Sequence, residues 1–114
     1  MTVEELAAEL RAFAADRQWE QFHTPKNLAM ALAGEAGEVL AELQWLTPQE
    51  CESLTEEQRE ALALELADVM IYLCRLADVT GIDLVDAARR KMRINAGRFP
   101  VRADPSPPAP GGTR

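Results

Sequence analysis

An apolar stripe at helical spacing runs through residues 28–46, and a carboxylate stands in the middle of it. Leu28, Leu32, Val39, Leu43 and Leu46 recur on one helical face, and projection at about 100° per residue puts Glu35 between them, with Glu38 on the edge. An ionised side chain turned toward a core costs free energy unless cations or hydrogen bonds compensate it, so the position calls for a physical reason. The pattern recurs in the next helical stretch, where Glu65 and Asp68 stand three residues apart. Two helices that each offer acidic residues at i and i+3 toward a core describe a cage for divalent cations.

The 114 residues suit one domain with a modest core. With 19 acidic against 12 basic residues, a formal charge of -7, neither a nucleic-acid backbone nor an anionic membrane fits as partner, whereas metal cations do. Cys51 and Cys74 form no CxxC pair and no disulfide framework, which favours a reducing compartment. Glu4, Glu5 and Glu9 stand where a secretory leader would carry positive charge, and no apolar run reaches membrane-span length, so a cytoplasmic location is expected.

In chain order, Thr2 followed by Glu5 is a capping-box signature, and Val3, Leu6, Leu10 and Phe13 predict a first helix over 3–17. Residues 17–23 show no period and hold Trp19, Phe22 and His23, which predicts a packed connector. Thr24 and Pro25 start a second helix that runs to about Leu46 and stops at Thr47-Pro48; residues 47–54 read as a polar loop. A third helix over 56–79 has Leu62, Leu66, Val69, Leu73 and Leu76 on one face and Leu64, Ile71 and Cys74 on others. A helix apolar on several sides must be covered on several sides, and four helices in one protomer cannot do this. The expectation is an all-α, four-helix bundle assembled as a homo-oligomer, with the second and third helices in the interface. A fourth helix over 84–96 follows Gly81 and Asp83. The Pro/Gly-rich residues 101–114 are expected to be a disordered tail, leaving 1–100 as the domain.

Four carboxylates meeting without cations repel by roughly 4 kcal/mol per pair at 4 Å and an effective dielectric near 20, and bound metal removes that objection. All-oxygen ligands favour Mg²⁺, with Mn²⁺ as a substitute, and Mg²⁺ commonly completes its shell with waters and substrate phosphates. Lys91, Asn95 and Arg98, spaced i, i+4, i+7, give two cations and an amide suited to a polyphosphate and a sugar. Trp19, Trp45 and Tyr72 offer aromatic faces for a base. Tyr72 falls one turn beyond Asp68, and Trp45 two turns beyond Glu38.

These residues resemble the MazG-like all-α nucleoside triphosphate pyrophosphohydrolases, closest to the dCTP pyrophosphatase branch. The resemblance rests on Arg17-Gln-Trp-Glu-Gln-Phe-His-Thr-Pro-Lys-Asn27, Gly34-Glu-Ala-Gly-Glu38, Gln44-Trp45, Glu65-Leu-Ala-Asp-Val-Met-Ile-Tyr-Leu73 and Lys91-Met-Arg-Ile-Asn-x-x-Arg-Phe-Pro100. It implies Mg²⁺-dependent hydrolysis of dCTP, a modified dCTP or another (deoxy)nucleoside triphosphate to the monophosphate and pyrophosphate, a house-cleaning role in the nucleotide pool, and a tetramer built as a dimer of dimers. Carried over, Glu35, Glu38, Glu65 and Asp68 are the metal ligands. Lys91 and Arg98 contact phosphates, while Trp19, Trp45, Tyr72 and Asn95 form the nucleotide pocket. Glu38, at the stripe's edge, is the candidate to activate water. Leu10 stands where animal dCTP-preferring relatives carry a histidine in the base pocket, so the resemblance does not imply strict cytosine preference.

Two other readings of the acidic helices exist. A ferritin-like di-iron bundle needs two Glu-x-x-His motifs, and the only histidine here, His23, lies in a connector and is left out of the metal set. A non-catalytic helical interaction module would tolerate Glu35 as Gln and gain no stability from Mg²⁺.

Overall fold

The computed structural model describes residues 1–101; the expected tail, apart from Val101, lies outside the described residues. The helices are Val3–Asp16 (α1), Pro25–Leu43 (α2), Pro48–Glu52 (α3), Glu56–Val79 (α4) and Leu84–Arg98 (α5), with no strand among the described residues. Two compact units divide the chain, Met1–Ile82 with α1 to α4 and a second beginning at Asp83 with α5.

Each helix begins where its first side chain can satisfy an orphaned backbone N–H. Thr2, Thr24, Thr47 and Thr55 accept from Glu5, Asn27, Glu50 and Gln58, and Asp83 accepts from Asp86. Such caps contribute about 1 kcal/mol each. The loop expected over 47–54 is instead the short helix α3. α2 already ends at Leu43, and Thr47-Pro48 starts the next helix, because Pro is tolerated at the first helical position and Glu50 closes a full capping box with Thr47.

In the first unit α4 is central: α2 packs along it, and α1 packs against it over a shorter stretch. Ala14 of α1, Leu28 of α2 and Cys74 of α4 are each 1% exposed, so the tightest part of the core draws on all three helices. Burying Leu28 contributes about 2 kcal/mol. The antiparallel sense of α2 and α4 follows from two contacts. His23, just ahead of α2, accepts from Arg75 late in α4, whereas Glu35, halfway along α2, meets Glu65 and Asp68 in the first half of α4.

Two helix ends close alike. At the end of α4, Ile82 N–H donates to Ala77 O and Gly81 N–H to Asp78 O, with Gly81 at φ +69°. At the end of α1, Trp19 N–H donates to Ala14 O and Gln18 N–H to Ala15 O, but Gln18 occupies the left-handed position at φ 56°. A side chain there is strained by Cβ crowding against the following carbonyl. Gln18→Gly is therefore expected to stabilise the unit by about 1 kcal/mol in urea denaturation; a variant no more stable than the parent would show that the turn carries no strain. The same turn holds Trp19 edge-on to Phe13, ring centroids 5.7 Å apart, with the Arg17 guanidinium 3.4 Å above the Phe13 ring.

Much apolar surface is left uncovered on the single chain. Leu40 is 62%, Leu64 60% and Leu66 51% exposed, the last in spite of its place on the expected inner face of α4. No described helix is long and apolar enough to cross a membrane.

Candidate active site

Carboxyl oxygens of Glu35, Glu65 and Asp68 lie within 4.8 Å of one another, all three groups half-buried. The antiparallel pairing of α2 with α4 makes this possible, since it sets the middle of one helix beside the first half of the other. Glu65 is held above the usual carboxylate range, first by partial burial and then by the charges of Glu35, Glu38, Asp68 and Glu42. None of the ion pairs among the described residues involves Glu35, Glu38, Glu65 or Asp68. An uncompensated, all-oxygen set of this kind fits a hard divalent cation of the Mg²⁺ class. Glu38 is exposed and stands outside the close group of three, although its charge still acts on Glu65.

Asp68 also borders a cleft of about 190 Å³ between α1, the connector and α4. Its walls are apolar and aromatic, with Leu10, Phe13 and Ala14 from α1, Trp19 from the connector, and Ile71 and Tyr72 from α4. Trp19 is 43% exposed, so Phe13 covers only part of the indole and the rest remains available to a ligand. The cleft and the three carboxylates thus share one residue.

At the other end of the cleft stand His23 and Arg75. Arg75 is 4% exposed, and its Nε donates to His23 Nδ1 at 3.2 Å while Nη1 donates to Asp78 Oδ2 at 3.2 Å. Asp78 is gripped on both oxygens by Arg11, at 2.9 and 2.7 Å, and these hydrogen bonds draw its pKa below the ordinary value against the opposing effect of burial. Burial, and next the Arg75 charge, push the His23 pKa down. Accepting at Nδ1 requires an unprotonated nitrogen there, so the neutral ring carries its proton on Nε2.

Among the site residues expected from sequence, Glu35, Glu65 and Asp68 come together, and Trp19 and Tyr72 both line the cleft that Asp68 borders. Trp45 does not reach the cleft; it follows the end of α2 and is 86% exposed. Lys91, Asn95 and Arg98 lie on α5 in the second unit, where Lys91 and Arg98 are exposed and Asn95 is half-buried. The Arg98 guanidinium sits 5.4 Å from the Phe99 ring. Sequence reading missed Glu42, although it follows Glu38 by four residues and Glu35 by seven, the spacing that defines the same face. It also missed Arg75, which continues the Asp68, Tyr72 series by i, i+4, i+7. Cys74, buried with its pKa raised by desolvation, offers no reactive thiolate.

Residues 30–105 match the MazG-like family. The chain is 45% identical over 102 residues to human dCTP pyrophosphatase 1, an overlap of 88% of this chain but 60% of that protein, so it spans about three-fifths of the relative's length. It is 32% identical over 103 residues to a dATP/dGTP diphosphohydrolase of Cyanophage S-2L, covering 90% of this chain and 82% of that one. The crystal structure of a pyrophosphatase from Archaeoglobus fulgidus superimposes with a TM-score of 0.81 at 39% identity, covering 86% of this chain and 92% of the other.

Proposed function

This chain belongs to the MazG-like family, and from that premise we propose that it hydrolyses (deoxy)nucleoside triphosphates, dCTP or a modified dCTP first among them, to the monophosphate and pyrophosphate. The observation that carries the reading is the shared residue Asp68, which joins a half-buried carboxylate group to an aromatic cleft of about 190 Å³. A base seated by Trp19 and Tyr72 would leave its phosphates at the acidic end, where only a cation can reconcile phosphate with carboxylate.

Glu35, Glu65 and Asp68, with Glu38 beside them, would hold Mg²⁺, or Mn²⁺ in its place. The ion would polarise the phosphate oxygens and acidify a bound water. Trp19 and Tyr72 restrict the base to one plane, so the α-phosphorus is presented to water in a narrow range of orientations. Glu38, less enclosed than the other three carboxylates, takes the proton from the attacking water. The new bond forms between water oxygen and the α-phosphorus, the bridging α–β bond breaks, and pyrophosphate leaves. On α5, Lys91 and Arg98 carry the cationic chemistry that suits phosphate and Asn95 the amide that suits a sugar.

The exposed Leu40, Trp45, Leu64 and Leu66 support assembly of this chain with copies of itself, and the proposed state is a tetramer made of two dimers. Light scattering that returns a monomer mass at micromolar concentration would remove that part.

Product analysis tests the function. With Mg²⁺ and dCTP the first phosphorus product is expected to be pyrophosphate, with dCMP in equal amount. Orthophosphate appearing first would place the cleavage at another phosphorus, and no turnover of any nucleoside triphosphate would favour the non-catalytic module.

A further inference from the structure

Arg75 is the only charged residue among the described residues that is fully buried, and one wall of the cleft is where it meets open space. A guanidinium carries five N–H donors in a fixed plane. One goes to His23 and one to Asp78, and no acceptor among the described residues meets Nη2. Nor is the charge matched locally. Asp78 is already bound through both oxygens by Arg11, so two guanidinium groups share one carboxylate while His23 is neutral. The donors left over open to the cleft, where a ligand with acceptors can meet them beside a charge that the fold balances only in part. Leu10, Phe13, Ala14 and Ile71 on the other walls offer no hydrogen bonds to a base edge.

Position along α4 says which part of a ligand arrives there. From Asp68 to Arg75 the helix rises about 10 Å, with Tyr72 between them. A nucleotide held by its phosphates at Asp68 and by its ring at Tyr72 therefore turns the far edge of its base to Arg75. The His23 and Asp78 hydrogen bonds hold the guanidinium plane, so the three donors left over do not adapt to whatever base enters.

We propose that Arg75 selects the base, by donating to two adjacent acceptors on its edge. This inference rests on the nucleotide reading above and adds to it the residue that discriminates. An acceptor pair exists on cytosine, as O2 with unprotonated N3, and on guanine, as O6 with N7. Thymine and uracil present an N3–H beside O2, and adenine presents an amino group beside N7, so each sets a donor against a donor.

Kinetics on the 114-residue chain with Mg²⁺ tests this, using dCTP, dGTP, dTTP, dATP and the analogues 3-deaza-dCTP and 7-deaza-dGTP, in which the acceptor nitrogen is replaced by C–H. One bidentate pair corresponds to a selectivity of about 10- to 100-fold. The expected result is that dCTP or dGTP exceeds dTTP and dATP in kcat/KM by that factor, and that the deaza analogue of the preferred base loses at least about tenfold. The dCTP and dGTP arms identify which acceptor pair the cleft admits. In Arg75→Met the ratio of the preferred nucleotide to its deaza analogue is expected to approach one. Should that variant fail to fold, the analogue ratio of the unaltered protein decides the matter alone. Equal kcat/KM across all six substrates overturns the inference and leaves the hydrolase intact, as does an unchanged ratio in a folded Arg75→Met. No hydrolysis of any of them overturns the parent reading and this one with it.

Discussion

Asp68→Asn is expected to lower kcat/KM by on the order of 10³, since losing one ligand of a divalent ion at a phosphoryl centre removes about 4 kcal/mol of transition-state stabilisation. The fold should not suffer. Asp68 is one of the charges that hold Glu65 above its ordinary range, so neutralising it relaxes the metal-free cluster, and the variant should melt no lower than the parent when Mg²⁺ is omitted. Loss of activity with unchanged or higher thermal stability is the signature of a site that trades stability for function. Glu38→Gln separates the two roles within the cluster: turnover should fall by a comparable factor, while Mg²⁺ should still raise Tm because three carboxylates remain. A variant of either kind that keeps parental kcat/KM removes that residue from the mechanism.

The second large effect is thermal and depends on pH. Mg²⁺ at about one hundred times its Kd adds about 2.7 kcal/mol to a protein that binds it only when folded, or roughly 10 °C or more in Tm for a unit of this size. The pH dependence follows from Glu65. Its folded pKa lies above the unfolded value, so between the two the folded chain holds more protons, and the associated stability, complete at low pH, is lost as pH rises through the folded pKa. The metal-free protein therefore bears more of the repulsion as pH rises, where a cation can relieve it. Near pH 4.5 protons have already done so and compete for the same oxygens. Differential scanning fluorimetry with and without Mg²⁺ should show a gain that widens from pH 4.5 to pH 7.5. An equal gain at both ends, or none at neutral pH, would deny that these carboxylates hold the ion.

How far the sequence could be read depended on whether a feature is local. Helical spacing and N-caps are properties of neighbouring residues, which is why α4 comes out over Glu56–Val79, the expected range, and α2 begins at Pro25 as Thr24-Pro25 announces. Glu35 was legible as a carboxylate out of place, and the antiparallel pairing with α4 turns that fault into half of a cluster. α3 was misread because Thr47-Pro48 signals both a stop and a start, and the stop was weighed alone. Arg75 was not legible at all. An arginine late in a helix reads as a dipole-compensating surface charge, and its burial is decided by residues 52 and 64 positions earlier in the chain, His23 and Arg11, through Asp78. Trp45, read from the sequence as a face for a base, is 86% exposed on the single chain and is not among the residues that line the cleft.

Asp68 belongs at once to the carboxylate group and to the wall of the aromatic cleft. Under the proposed function, a guest that tilts or sits too deep would shift a side chain assigned to the chemistry. Misfit would then be converted into slowness instead of weak holding, so a wrong nucleotide would occupy the cleft, and even block it, without being consumed.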